Sequence, residues 1–487
     1  MNNNLYKIQP VEIWNYFSEI LRIPRPSKKE EKIANYLIEF AKRHQLNYKV
    51  DEIGNIVILK PATPGMKNRK SVCLQSHMDM VCEKNKDTDF DFESDAIRAY
   101  IDGDWVKAEG TTLGADDGIG MAAQLAILAS DVIEHGPIEC LFTVDEETGL
   151  SGAFGLKSGF LKSTILLNLD SEDDGQIFIG CAGGRDTTAM LKFERKSVPK
   201  DFSAFKIIIN GLKGGHSGDD INKGLGNAIK ILVRILHSAS EKFGARLADI
   251  TGGNLRNAIA RESEAVVLIN YVAEKDFSQL VHEIGQSVKN ELKTTEPDLN
   301  ISLLEAKIPE FVMDETSQHK LMLALYACPH GVIQMSRDIP NFVETSTNLA
   351  SVKVIDDCYL VTTSQRSSVA SALDDVVNMV ASVFHLAGAE VKHTDGYPGW
   401  APNTQSEILD IARSAYERLF KTEPKVLAVH AGLECGLIGE KFPGIDMISF
   451  GPDIKGAHSP DERISISSVQ KFWDWTIEIL KSIPAEN

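Results

Sequence analysis

The stretch IECLFTVDEE (138–147) reads as a short apolar strand that runs directly into three acids, and the segments around it repeat that plan. NIVILK (55–60), SVCLQS (71–76) and ILLNLD (165–170) are similar apolar runs, and GIGMAAQLAILAS (118–130) carries the apolar pattern of a helix between two of them. Near-continuous apolar strands alternating with helices predict a mostly parallel α/β sheet with helices on both faces. Upstream, Val11, Trp14, Phe17 and Leu21 recur at helical spacing until Pro24 and Pro26. A second helix with Ile33, Leu37 and Phe40 on one face follows, and Ser27 with Glu30 reads as its capping box.

The texture changes at about residue 185. KIIINGL (206–212), EAVVLIN (264–270) and NISLLEA (300–306) read as strands. Helices are marked by Ile229, Leu232 and Leu236, and then by Phe277, Val281, Ile284 and Val288. A second, similar run follows with GVIQMS, NLASVKVI, YLVTTSQ, a helix through Leu373, Val376, Val380 and Phe384, and EVKHTD. These make an inserted α+β domain of two similar strand–helix layers. After the turn-rich Gly396-Tyr397-Pro398-Gly399 the first texture returns, with MISFG (447–451) as a strand and Val469, Trp473, Ile477 and Leu480 marking a last helix. The expected organisation is a catalytic domain in two parts, 1–184 and 394–487, interrupted by a lid or dimerisation domain at 185–393.

The chain has 487 residues, too many for one core of usual size, which agrees with two domains. Its 51 Lys and Arg against 69 Asp and Glu leave a net charge of −18, a field that repels phosphate and disfavours nucleic acid or an anionic membrane as partner. No apolar run has the length of a membrane helix, and MNNNLYKIQP lacks the basic-then-apolar order of a signal peptide. Seven scattered cysteines without a C-x-x-C pattern fit free thiols in a reducing compartment, so a cytoplasmic location is expected.

Polar residues collect where the strands of the first domain end. His77-x-Asp79 follows SVCLQS, Asp116-Asp117 lies in GTTLGADDGIG before a helix, and Asp145-Glu146-Glu147 follows IECLFTV. Asp170 and Glu172 follow ILLNL, and His458 follows MISFG within GPDIKGAHSPDE. In an open parallel sheet the carboxyl ends of the strands face one crevice. Taken singly, each piece has an ordinary reading: a surface H-x-D, a solvated acidic loop, or acids at a helix start, where the dipole favours them. Their joint occurrence at strand ends predicts a metal site. Imidazole with carboxylate suits zinc, or manganese and cobalt in the same geometry, and one carboxylate can bridge two ions. Hydrolysis also needs a carboxylate outside the ligand set to take a proton from water, and Glu146 and Glu147 can divide those tasks either way. Asp79 is placed to hydrogen-bond the His77 ring and fix its tautomer.

With SHMDMV, LGADDGIG, DEETGL, NLDSED, GGHSG and KGAHSPDE on the page, the chain resembles the dinuclear zinc metallopeptidases. That family includes glutamate carboxypeptidase, aminoacylase and the bacterial dipeptidases, and the motifs look most like those of its aminoacyl-histidine dipeptidase branch. The resemblance covers essentially the whole length. It implies two Zn2+ per subunit, with Mn2+ or Co2+ as substitutes. His77 and Asp170 would hold one ion, Glu147 and His458 the other, and Asp116 would bridge them. Asp79 would orient His77, Glu146 would be general base and then acid, and the Asp116–Asp117 peptide would be cis. His216, in NGLKGGHSGDD, would reach from the lid to stabilise the oxyanion, although Ser217-Gly218-Asp219 departs from the family's usual small residues and proline. Asn257 resembles a substrate contact, with Ala260 where proline is usual. Arg366 would grip the free α-carboxylate of a dipeptide, its ordinary reading being an arginine at a sheet edge. Gly432, in VHAGLECG, lies where relatives have a glycine-rich substrate loop. The implied activity is hydrolysis of unblocked dipeptides, including Xaa-His such as β-alanyl-histidine, by a homodimer. The alternatives are an aminoacylase or carboxypeptidase of the same family, or a non-catalytic peptide-binding module.

Overall fold

The computed structural model describes residues 4–486, so the first three residues and residue 487 of the expected catalytic segments lie outside the described residues. The chain divides into two compact units. One comprises residues 1–181, 400–428 and 433–487, and the other residues 182–399 and 429–432.

The first unit is built on an eight-stranded sheet. Its order is Asn47–Val50, Ile56–Lys60, Ile138–Thr143, Val72–His77, Ile165–Asn168, Asp446–Ser449, Gln176–Cys181 and Lys425–Val429. The centre is parallel: Val72–His77 pairs in parallel with both Ile138–Thr143 and Ile165–Asn168, and Asp446–Ser449 pairs in parallel with Ile165–Asn168. The strands Asn47–Val50 and Ile56–Lys60 run antiparallel to their neighbours, and Gln176–Cys181 runs antiparallel to Asp446–Ser449. Every residue of the three central strands Val72–His77, Ile138–Thr143 and Ile165–Asn168 is buried, which is why they read as unbroken apolar runs. Register sets the site. His77 is level with Thr143, three residues before Glu146, and Gln75 is level with Asn168, two residues before Asp170, so these chains all emerge at one edge.

The helix Ala115–Ala129 packs against the strand Val72–His77 and the helix Val11–Ile20. All but two of its residues are buried, Asp116 and Ala129 being the exceptions, in keeping with a helix apolar all round. Its first turn is irregular: Asp116 and Asp117 have non-helical dihedrals and are joined by a cis peptide bond. These acids therefore do not merely start a helix. The expected capping box is also absent. The second helix begins at Glu31 without a side-chain cap, Ser27 Oγ donates instead to Asp79 Oδ2 at 2.7 Å, and Glu30 accepts from Lys28 and Asp145 main-chain N–H groups. His458 sits in the hairpin between Ile454–Lys455 and Arg463–Ser465, part of a small four-stranded sheet.

The second unit carries an antiparallel sheet of nine strands and a two-stranded ribbon of Arg195–Lys196 with Val312–Met313. Its two strand–helix groups lie edge to edge, joined where Gly252 of Arg246–Gly252 meets Val352 of Val343–Ile355. The helices Ala228–Phe243, Glu274–Leu292, Glu315–Ala327 and Ala370–Leu386 accompany the sheet, and Ile207, Ile229, Leu232, Phe277, Tyr359 and Phe384 belong to one continuous core.

Candidate metal centre

The strand ends bring His77, Asp170, Glu146 and Glu147 together with Asp116 from the helix Ala115–Ala129 and His458 from its hairpin. Asp116 stands in the middle. Its Oδ1 lies 3.1 Å from His77 Nε2 and its Oδ2 lies 3.2 Å from His458 Nε2. His77 Nε2 is also 3.4 Å from Asp170 Oδ1, and His458 Nε2 is 3.1 Å from Glu147 Oε2. One carboxylate thus faces two histidine–carboxylate pairs, one through each oxygen. Two groups, His77–Asp116–Asp170 and Asp116–Glu147–His458, each have ligand atoms within 4.8 Å of one another.

The donor set fits divalent cations. Two imidazoles with carboxylates are ligands for zinc, manganese or cobalt. Carboxylates gathered out of water need pairing or a metal, and Glu147 Oε1 is buried with no hydrogen-bond partner. The titration behaviour of the bare cluster follows from its charge. Burial pushes the carboxyls of Asp170 and Glu146 well up, reinforced for both by Asp116 and opposed by His77. Asp116 is held well down by its two histidines despite its burial. His458 is raised to about 11 by Asp116 and Glu147.

Asp79 ties the site together. Its Oδ1 is 3.3 Å from His77 Nδ1, an ion-pair distance rather than a well-aligned hydrogen bond. The same carboxylate accepts the main-chain N–H of Glu146 at 3.0 Å and of Glu147 at 3.2 Å. Burial pushes Asp79 up, but His77, Ser27 and the Glu146 N–H outweigh it and hold the carboxyl at about 2.

Several contributions were not read from sequence, where Glu434 stands only as part of the VHAGLECG loop. Glu434 is wholly buried and accepts from Gln75 Nε2 at 2.6 Å and Thr143 Oγ1 at 2.7 Å, while Gln75 Oε1 accepts from Asn168 Nδ2 at 2.6 Å. This polar network lies one step below the strand ends bearing His77, Glu146 and Asp170. Burial raises Glu434 to about 7. Its signal was available: Gln75, Thr143 and Asn168 are polar residues inside otherwise apolar strands, which buried hydrogen bonding must explain. Arg25 and Glu462 are likewise buried beside the Asp116 turn.

The remaining candidates lie in the second unit. His216 Nδ1 is engaged by Asp219, 3.2 Å from its Oδ2 and 3.3 Å from its main-chain N. His216 and Asn257 line one cavity of about 870 Å³, and the Asn257 carbonyl accepts the Ser217 N–H at 2.8 Å. Arg366 is interior to the sheet, since its strand Cys358–Ser367 pairs with a neighbour on each side, so the sheet-edge reading does not hold. Its Nη1 donates to the Tyr397 hydroxyl at 3.1 Å, and its Nε is buried without a hydrogen-bond partner. A side chain at Gly432 would stand 2.8 Å from the Tyr397 ring. His430 Nε2 lies 2.7 Å from Ser346 Oγ.

Comparison with known proteins agrees with this architecture. A model of peptidase family M20/M25/M40 matches residues 73–482. The chain is 45% identical over 484 residues to the cytosol non-specific dipeptidase of Escherichia coli (strain K12), covering 99% of this chain and 100% of that protein. The structure of aminoacylhistidine dipeptidase from Vibrio alginolyticus superposes with a TM-score of 0.95 at 44% identity, covering 100% of this chain and 99% of that one. Aminopeptidase PepT from Bacillus cereus, at 17% identity and a TM-score of 0.59 over 98% of this chain and 99% of its own, shares the fold. By a family match spanning most of its length and a relative of 45% identity from end to end, the chain belongs to peptidase family M20/M25/M40.

Proposed function

We propose that the protein is a metal-dependent dipeptidase that hydrolyses unblocked dipeptides, Xaa-His among them. The observation that carries this reading is the division of Asp116 between two histidine–carboxylate pairs, the arrangement a two-cation hydrolase needs. The relatives named as dipeptidases, similar over the whole chain, support the substrate class.

His77 and Asp170 would hold one divalent cation, Glu147 and His458 the other, with Asp116 shared. Zinc is the expected ion. The cations, when bound, supply Lewis-acid polarisation of the scissile carbonyl and a lowered pKa for the attacking water. Glu146 is the carboxylate outside the ligand set, and it takes the proton of that water and returns it to the leaving amine. Asp79 orients His77 and, through the two main-chain N–H groups, sets the position of Glu146. His216 donates to the oxyanion. Its Nδ1 is engaged by Asp219, which leaves Nε2 as the ring nitrogen for that role. Arg366, buried and with an unused Nε, receives the free carboxylate of the substrate, and Asn257 and the Gly432 backbone complete the contact.

The seven free cysteines and the cytosolic relative support a cytoplasmic location. Among the described residues no helix is long and apolar enough to cross a membrane. A homodimer remains the proposed assembly, and its mass by analytical ultracentrifugation tests it. The function is tested by assaying β-alanyl-histidine with a panel of dipeptides, tripeptides and N-acyl amino acids, before and after chelation and metal return. Chelator-sensitive dipeptide cleavage restored by Zn2+, Mn2+ or Co2+ is expected. Cleavage confined to acyl amino acids or longer peptides would replace this reading with an aminoacylase or carboxypeptidase, and no cleavage of any of them would favour a binding module.

A further inference from the structure

Two buried, oppositely charged side chains grip the turn that presents Asp116. Glu462 is 2% exposed, and its carboxylate accepts four successive main-chain N–H groups. Oε2 takes those of Leu113 at 2.7 Å and Gly114 at 2.9 Å, and Oε1 takes those of Ala115 at 2.7 Å and Asp116 at 3.4 Å. Arg25, also 2% exposed, takes the carbonyls. Its Nη2 donates to Gly114, and its Nη1 donates to Asp79 and, at 3.0 Å, to Met78.

The LGADDGIG motif accommodates this grip. A Cβ on Gly114 would lie 2.6 Å from Arg25 Nη2, and a Cβ on Gly118 would lie 2.7 Å from the same atom. Gly114 also has φ +69°, where a side chain is disfavoured. Both glycines therefore leave room for one guanidinium.

The connections matter because of what they join. Met78 and Asp79 adjoin His77, the gripped turn ends at Asp116, and Glu462 lies four residues beyond His458 in the same hairpin. Three segments carrying ligands are thereby linked through main-chain atoms, which move less than side chains and fix direction as well as distance. A buried carboxylate with four N–H donors, and a buried guanidinium with three carbonyls, are each paired by charge-assisted hydrogen bonds rather than left uncompensated.

We propose that Arg25 and Glu462 are positioning residues that hold the Leu113–Asp116 turn so that the Asp116 carboxylate stands between His77 and His458 before any cation arrives. This rests on the metallopeptidase reading in taking Asp116 as a shared ligand.

The test is a Co2+ titration of the full-length, metal-stripped protein, following the visible absorption that reports coordination geometry. The variants are Glu462→Gln, Arg25→Met and Gly118→Ala, which crowds Arg25 without touching a ligand. The control is Glu139→Gln. Glu139 is another buried carboxylate that accepts main-chain N–H groups, those of Lys162 and Ser163, but near the opposite end of the sheet. The three variants are expected to bind Co2+ about tenfold or more weakly with an altered spectrum, as removal of groups behind metal ligands does, while the control binds as wild type. If Arg25→Met does not fold, Gly118→Ala and Glu462→Gln decide. Wild-type affinity in those two, or an equal loss in Glu139→Gln, overturns the proposal and leaves the two-cation reading standing. A wild type that binds no more than one Co2+ overturns both.

Discussion

Asp79 accepts the main-chain N–H of Glu146 at 3.0 Å with the same carboxylate oxygen that stands 3.3 Å from His77 Nδ1. On the proposed reading, the residue behind the ligand His77 is therefore also the residue that places the general base Glu146. Replacing Asp79 with Asn keeps the size but removes the charge and turns one oxygen into a donor facing N–H or O–H groups. Both metal affinity and kcat are expected to fall, each by about ten- to a hundredfold, as for other groups behind metal ligands. Metal titration and steady-state kinetics at saturating metal separate the two losses. A kcat that returned fully to wild type at saturating metal would confine Asp79 to ligand orientation.

Glu146 is bonded to none of the histidines at hydrogen-bond distance, whereas Glu147 lies 3.1 Å from His458. On the proposed reading this asymmetry makes Glu147 the ligand and Glu146 the base, two glutamates that spacing alone leaves equivalent and that both lie near His77. Glu146→Gln is expected to lower kcat by about two to four orders of magnitude, the range for loss of general acid–base catalysis, with metal content unchanged. Glu147→Gln is expected to lower metal content first. Elemental analysis beside kinetics checks both, and a metal-poor Glu146→Gln would reverse the two roles.

The catalytic sheet was legible because strands such as Val72–His77 are buried on both faces and so carry the unbroken apolar runs that a parallel core demands. His77, Glu146, Glu147 and Asp170 were legible because each follows such a run within a few residues, Asp116 because it opens a buried helix, and His458 because it lies in the segment after Asp446–Ser449. The strands Gln176–Cys181 and Gly183–Lys192 were not, since buried Gly180, Gly183, Gly184 and Thr187 and partly exposed Arg185, Asp186 and Thr188 interrupt any apolar run. Ser27 and Glu30 satisfied a capping pattern yet bond to residues distant in sequence, because tertiary partners for Asp79 and Asp145 outcompeted the local cap. Arg25 and Glu462, and the buried role of Glu434, were missed for a related reason. Their partners are main-chain groups or side chains far away in the sequence, and no spacing rule connects them.

Arg366 provides a test of how the chain would count residues from a substrate's carboxyl end. A guanidinium presents a planar fork to a carboxylate, and a lysine at the same place offers a point charge on a shorter reach. Arg366→Lys is expected to raise KM for dipeptides by about tenfold or more, while a dipeptide amide, lacking the charge, is affected much less. Initial-rate kinetics on the matched pair decides. An equal effect on acid and amide would show that Arg366 supports the sheet rather than the substrate.

The second unit should weaken in acid through His430. Burial, then the neighbouring Arg366, lowers this histidine to about 3, with His216 adding to the effect and Asp219 and a main-chain hydrogen bond opposing it. In the unfolded chain it would titrate near the ordinary histidine value of about 6.5. Between these values the unfolded state binds the extra proton, so stability is complete above about pH 6.5 and declines as pH falls toward 3. The slope approaches ~1.4 kcal/mol per pH unit, for a total of at most ~5 kcal/mol from this group. His430→Gln removes the titration while leaving a polar group for Ser346, whose hydroxyl lies 2.7 Å from the ring. Thermal denaturation of both proteins from pH 7.5 to 4 should therefore give a wild-type Tm that falls more steeply than that of the variant. Parallel curves would mean that His430 is protonated in the folded state as readily as in the unfolded one, and that its burial is not the source of the acid sensitivity.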